Sequence, residues 1–268
     1  MPKTGNSPTF PAATKPIVVK GMPLASGRVP AICIPLIGAS ADAIMAELDD
    51  GRSQGPDAFE WRADYFDAAA DPHAVIAVAR RLRERAGAVP LLFTCRCEDE
   101  GGGPTALGMR ERIALYEAIC RSQCTELVDY ELGNGSANFA RVRDAAHAHR
   151  IGVIGSFHDF SGTPDAATLA AKFEQAKREG ADVAKVAVMP HDPADVLALL
   201  DATWRAARAL DIPLISMAMG PLGALSRIAG HLFGSSLTFA AGERASAPGQ
   251  MPIDTLREAI AALQGTRA

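Results

Sequence analysis

Short apolar runs recur along the chain, and each is followed by a longer segment in which apolar positions return every three or four residues. "AICIPL" (31–36) precedes such a segment at 40–50, and "DAFEWRADYF" (57–66) precedes one at 72–86. "VPLLFTCR" (89–96) leads to 107–123, "ELVDYEL" (126–132) to 137–149, and "IGVIGSFH" (151–158) to 165–179. "DVAKVAVM" (182–189) leads to 193–210, "IPLISMAM" (212–219) to 222–232, and "SSLTFA" (235–240) to 253–264. Short continuous apolar runs fit strands buried on both faces, and the three-to-four spacing fits amphipathic helices. Strict strand–helix alternation predicts a parallel sheet with right-handed crossovers. Eight such units in a chain of 268 residues predict an α/β fold, a closed (β/α)8 TIM barrel, which typically needs about 250 residues. An open doubly wound sheet is the competing topology, but "LIGASADAI" after the first strand lacks its glycine-rich fingerprint.

Upstream, "IVVKGMPLASGRVP" has two short apolar runs around Gly and Pro and predicts a small β-hairpin. The first sixteen residues, "MPKTGNSPTFPAATKP", are rich in Pro, Thr and Ser and have no apolar core of a secretory signal. They are expected to be a disordered tail (1–16), with one barrel domain spanning 17–268.

Composition narrows the function classes. The chain is 48% hydrophobic and 22% charged, with net charge −4 and pI near 5.9. No basic run or overall basic character suggests nucleic acid, and no apolar run approaches the ~18 residues of a membrane span. Five cysteines show no zinc spacing, so we expect structural thiols in a reducing cytoplasm, and no metal.

A barrel carries its chemistry inside the strands or at their C-terminal ends. The polar residues there are Glu60, Arg62, Asp64, Arg96, Glu100, Glu131, Ser156, His158, Asp159 and Lys185, with Met217, Met219 and Arg227 at the seventh unit and Ser246 and Gln250 after the eighth strand. Alternation puts Glu60, Arg62 and Asp64 on one face, so an internal Glu60–Arg62 ion pair competes with a binding role for them.

Lys185 stands in the middle of an alanine–valine strand. Desolvating an ammonium costs several kcal/mol, so a buried lysine is either paired or partly neutral. We expect burial and nearby arginines to disfavour its charge. A neutral lysine is a nucleophile toward a ketone. His158 closes the neighbouring strand, and imidazole suits reversible proton transfer near neutral pH. Lysine and histidine together suggest imine chemistry, with Glu100 or Glu60 orienting the histidine.

Six motifs narrow this class. "FEWRADYF", "LFTCRCEDEGG", "SFHDFSGTP", "DVAKVAV", "ISMAMGPLGALSRIAGHLFGSSLTFA" and "ASAPGQMPI" occur in this order. Together they resemble the type I 3-dehydroquinate dehydratases, from about residue 17 to about 264. The resemblance implies a cytoplasmic, homodimeric lyase of the shikimate pathway that converts anionic 3-dehydroquinate to 3-dehydroshikimate without metal or cofactor. It also implies roles. Lys185 matches the imine-forming lysine, His158 the general acid/base, and Glu100 the carboxylate paired with that histidine. Glu60, Arg62 and Arg96 match ligand-binding charges, and Arg227 matches the arginine that takes the substrate carboxylate. Ser246 and Gln250 match a closing loop; Met217, Met219 and Phe239 match the apolar lining. Pro35 departs from relatives that carry a serine there, so one polar contact is expected to be missing.

Two other readings compete. A class I aldolase acting on a phosphosugar would use "GPLGALSR" (220–227) to hold phosphate. A non-catalytic ligand-binding barrel would keep the charged mouth, but offers no reason for Lys185 and His158 together. The loop "GERASAPGQ" (242–250) has glycines and almost no apolar anchor, and is expected to be a mobile lid.

Overall fold

Eight strands buried along most of their length form one parallel sheet. They are β3 (Ala31–Leu36), β4 (Ala58–Arg62), β5 (Leu91–Thr94), β6 (Leu127–Glu131), β7 (Gly152–Asp159), β8 (Val183–Val188), β9 (Leu214–Ala218) and β10 (Leu237–Phe239). The computed structural model describes residues 14–264 apart from Ser26, Arg28 and Ala106. Strands pair in chain order from β3 to β9, and β10 returns to pair with β3. The Leu214–Ser235 bridge closes the ring, with the Ser236 N–H donating to the Leu214 carbonyl at 2.7 Å. The chain therefore has the expected (β/α)8 barrel.

Helices α1 (Ala41–Ser53), α2 (Pro72–Ala86), α3 (Met109–Ser122), α4 (Ser136–Ala148), α5 (Ala166–Arg178), α6 (Pro193–Ala209), α7 (Ala224–Ala229) and α8 (Ile253–Leu263) follow the strands in turn. Several starts are written locally. Ser40, Asp71, Asp165 and Asp192 each accept from a backbone N–H in the first helical turn, and Pro72 and Pro193 follow two of these caps. Such caps satisfy donors that the helix leaves unpaired. The segment expected to be helical at 222–232 breaks into a 3-10 turn, short α7 and a second 3-10 turn.

Strand parity divides the core. Ala31, Cys33, Ala58, Leu92, Leu127, Ile154, Val183, Ile215 and Leu237 form an inner cluster. Phe59, Trp61, Phe93, Val128, Tyr130, Val153, Ala184 and Val186 belong to the outer cluster beneath the helices. Because side chains alternate, Glu60, Arg62, Asp129, Glu131, Ser156, His158 and Lys185 inherit the inner parity. The barrel is thus apolar at its N-terminal end and charged at its C-terminal end.

The hairpin is real but short: β1 (Val18–Val19) pairs antiparallel with β2 (Met22–Pro23). Ile17 and Val19 join the inner cluster and plug the N-terminal end. Of the expected tail, residues 1–13 lie outside the described residues. Thr14 Oγ1 donates to the Gly27 carbonyl at 3.0 Å, and Ser236 Oγ donates to the Lys15 carbonyl at 2.6 Å. All five cysteines are free thiols, with Cys95 and Cys97 just past β5 and Cys124 just past α3. Among the described residues no helix is long and apolar enough to cross a membrane, and no cluster of His, Cys, Asp and Glu is placed to hold a metal.

Candidate active site

Lys185 is 4% exposed and is paired. Its Nζ lies 2.7 Å from Asp129 Oδ2 and 3.8 Å from Glu60 Oε1, and sits over the Phe239 ring at 4.8 Å from the centroid. This corrects the expected surroundings of Lys185, because a carboxylate is its nearest charged neighbour. Asp129 comes from β6, two strands away, and was not among the candidate residues. Its signal was present: Asp129 and Glu131 share a parity in the otherwise apolar "LVDYE". Burial alone would raise the Asp129 carboxyl, but Arg96 and then Lys185 outweigh it and hold it well below the usual range.

Arg96 is the hub beside this pair. Its NH1 approaches Asp129 Oδ1 at 2.9 Å, Ser156 Oγ at 2.7 Å and Glu131 Oε1 at 3.2 Å. Glu131 in turn takes Arg112 NH2 at 3.0 Å and the Asn134 amide at 2.7 Å. Arg62 does not pair with Glu60 as one reading of the alternation had it. Its guanidinium binds Asp64 in bidentate fashion, at 2.9 and 2.7 Å. The reason is local: β4 ends at Arg62, and Asp64 turns back in a 3-10 turn, Ala63–Tyr65. Asp64 also accepts the Arg96 and Gly103 N–H groups, which secures the segment that carries Glu100. Glu60 instead accepts Thr94 Oγ1–H at 2.8 Å.

His158 and Glu100 form a dyad. Glu100 Oε2 lies 2.9 Å from the His158 ring Nδ1 and 2.9 Å from its backbone N. With Nδ1–H aimed at the carboxylate, Nε2 is left as the basic nitrogen. Burial, then Arg96 and Lys185, push the imidazole well below its ordinary pKa, so the resting ring is neutral, with Nε2 free to accept. Burial raises Glu100 to about 7 against the opposing pull of Arg96.

Arg227 lies in the last turn of α7, 1% exposed, and among the described residues no carboxylate lies within salt-bridge distance of it. NH2 donates to the Pro248 carbonyl at 3.1 Å, NH1 reaches Met217 Sδ at 3.8 Å, and Nε has no partner. Burial lowers it to about 10. A buried guanidinium with a spare donor and no counterion is an anion receptor in waiting.

Glu60, Arg62, Arg96, Glu100, His158, Lys185 and Arg227 line one cavity, together with Met217, Met219, Phe239, Phe160, Ser246 and Gln250. Larger surface grooves, one beside Trp204 and Phe233 and one under Met22 and Leu24, bring no histidine to a buried lysine. The loop after β10 lies across the mouth. Gln250 Oε1 accepts the Ser246 N–H at 2.8 Å, and Gln250 Nε2 donates to Ser246 Oγ at 3.0 Å. Its anchors are polar rather than apolar: Gly220 N–H donates to the Pro248 carbonyl, and Arg244 NH2 reaches Glu47 Oε1 at 2.8 Å. Gly249, at φ +79°, packs so closely on Gly220 that a Cβ there would meet the Gly220 carbonyl oxygen at 2.3 Å. The aldolase reading finds little support in this region. The Gly220 and Gly223 N–H groups are already bonded to Pro248 and Gly220 carbonyls, so they do not form an open phosphate nest.

Comparison with known proteins agrees with this geometry. The family model described as type I 3-dehydroquinase matches residues 32–267. The chain is 51% identical over 252 residues to the 3-dehydroquinate dehydratase of Albidiferax ferrireducens, covering 94% of this chain and 96% of that protein. The crystal structure of 3-dehydroquinate dehydratase from Geobacillus kaustophilus superposes with a TM-score of 0.91 at 48% identity, over 96% of this chain and 99% of that one. A type I 3-dehydroquinate dehydratase from Clostridium difficile, solved with covalently modified comenic acid, superposes at 0.89 and 34% identity, over 94% and 99% of the two chains. The charged C-terminal mouth of this barrel, with Lys185 beside a His158–Glu100 dyad, thus sits in a chain that belongs to the type I 3-dehydroquinase family.

Proposed function

We propose that this chain removes water from 3-dehydroquinate to give 3-dehydroshikimate, through an imine on Lys185, as a step of the shikimate pathway that leads to aromatic amino acids. Lys185 Nζ adds to the ketone carbon, and the carbonyl oxygen leaves as water. The protonated imine withdraws electrons from the neighbouring carbon. His158 Nε2 takes a proton from that carbon; the freed electron pair forms a double bond to the imine carbon and the C–N π pair returns to nitrogen, giving an enamine. The enamine expels the hydroxyl β to the original carbonyl, and His158 returns its proton to form water. Hydrolysis of the remaining imine consumes one water and frees Lys185. The balance is the net loss of one water, with no metal or cofactor invoked.

The observation that carries this reading is that a buried lysine, a neutral histidine and Arg227, whose Nε is an unfilled buried donor, line one cavity. Arg227 takes the substrate carboxylate. Glu60, Arg62, Arg96, Ser246 and Gln250 take its hydroxyls, while Met217, Met219 and Phe239 cover its apolar ring faces. The enzyme acts as a homodimer in the cytoplasm.

The test adds 3-dehydroquinate and follows the ultraviolet absorbance of the conjugated product. Borohydride added with substrate should inactivate irreversibly, and peptide mapping should place the adduct on Lys185. An adduct on another lysine, or inactivation without ligand, would overturn the imine assignment.

A further inference from the structure

We infer that Asp129 is the positioning residue for Lys185, fixing the plane of the imine rather than acting as the lysine's base. This rests on the imine reading above and goes beyond it. Asp129 is completely buried. Its Oδ1 is occupied by Arg96 NH1 at 2.9 Å and Ser156 Oγ at 2.5 Å. Its Oδ2 faces Lys185 Nζ at 2.7 Å. The backbone beneath it is also held, since Tyr116 Oη–H donates to the Asp129 carbonyl at 2.6 Å. Ser156 is aligned with Lys185 across the β7–β8 pair and with Glu131 across β6–β7, so the serine spans from the lysine strand to the aspartate strand. Every freedom of the carboxylate is taken up except the oxygen turned toward the amine.

The consequence appears when the amine becomes an imine. An ammonium has three N–H donors, and a protonated imine has one, lying in the plane of the C–N double bond. Asp129 Oδ2 is the acceptor already in place for that one donor. Holding it fixes rotation about the Cε–Nζ bond, and with it the plane of the substrate carbons next to nitrogen. The C–H bond to be broken then has a set direction relative to His158. The same geometry argues against a base role. Arg96 and Lys185 hold the Asp129 carboxyl well below the usual range, so it is a poor acceptor of a full proton.

The test is Asp129→Asn, with substrate-dependent borohydride adduct counted on Lys185 by mass and kcat measured on the same preparation. We expect near one adduct per chain at saturating substrate, a KM within about threefold of the parent, and kcat per trappable lysine lower by about 10²-fold, the loss typical of a misplacement near 1 Å. A merely structural role would lower adduct count and kcat together, leaving kcat per trappable lysine unchanged, and that result overturns the inference. Should Asp129→Asn fail to fold, Ser156→Ala carries the same readout without removing a charge, with a loss of several-fold expected and no loss overturning the proposal. Failure of the imine reading is distinct: the parent protein itself would then give no adduct on Lys185.

Discussion

His158 meets a single oxygen of Glu100 twice, through its backbone N–H and through ring Nδ1, each at 2.9 Å. One carboxylate oxygen therefore sets both the position of the strand end and the tautomer of the ring. The other side of the ring faces the cavity shared with Lys185. The dyad is made against the cost of burying the carboxylate, which pushes Glu100 up to about 7.

That shift makes Glu100 a cost to the fold. Below about pH 4.5 both folded and unfolded chains hold the proton. Between there and about 7 the folded chain keeps it while the unfolded chain loses it, so stability falls as pH rises. Glu100→Gln keeps an acceptor for both His158 donors and removes the titration. It should lose most activity yet be more stable at pH 8 by roughly 3 kcal/mol as an upper figure, with the gap shrinking toward pH 5. Urea unfolding at the two pH values checks this; an equal gap at both contradicts it.

His158→Ala separates binding from elimination. Imine formation with 3-dehydroquinate should survive, read as a borohydride adduct on Lys185. Removing a general acid/base typically costs 10²- to 10⁴-fold, and kcat should fall by that range. Near-full kcat in this variant would reassign the proton transfer to another group.

Arg227→Met should separate stability from binding. The guanidinium is buried, lowered to about 10 and, among the described residues, without a carboxylate partner. Replacing it with an apolar side chain of similar length removes an uncompensated buried charge, so the ligand-free urea midpoint should stay level or rise. KM should rise by about 10²-fold or more, since hydrogen bonds to a charged group contribute about 1.5–3 kcal/mol each. A lowered midpoint with unchanged KM would mean that Arg227 is structural.

The loop 242–250 should close by its polar anchors. Gln250→Ala should raise KM roughly tenfold and leave the borohydride adduct largely intact. Arg244→Ala breaks the link to Glu47, whose other oxygen already accepts the Ile37 and Gly38 N–H groups. Its effect should be smaller, KM rising by about fivefold, as expected of a partly exposed ion pair. Hydrogen exchange in this segment should slow when ligand binds and quicken in Arg244→Ala; equal protection in all three states counts against a lid.

The sequence by itself determined the barrel. Its strands are short apolar runs because both faces are buried, and its helices show an apolar stripe because one face is, so periodicity alone orders the eight units. Lys185 and His158 were legible for the same reason, as polar residues interrupting or ending apolar strands. Partnership was decided only by the tertiary structure. Lys185 pairs with Asp129, 56 positions away in sequence and two strands away in the barrel. Arg62 pairs with Asp64 rather than Glu60 because the strand ends between them and the chain turns. The loop after β10 is held by Glu47, 197 positions from Arg244. Strand parity says which side chains point into the bore, but the bore brings all eight strands within reach of one another. Which charges meet there depends on tilt, register and side-chain length, which a linear pattern does not carry.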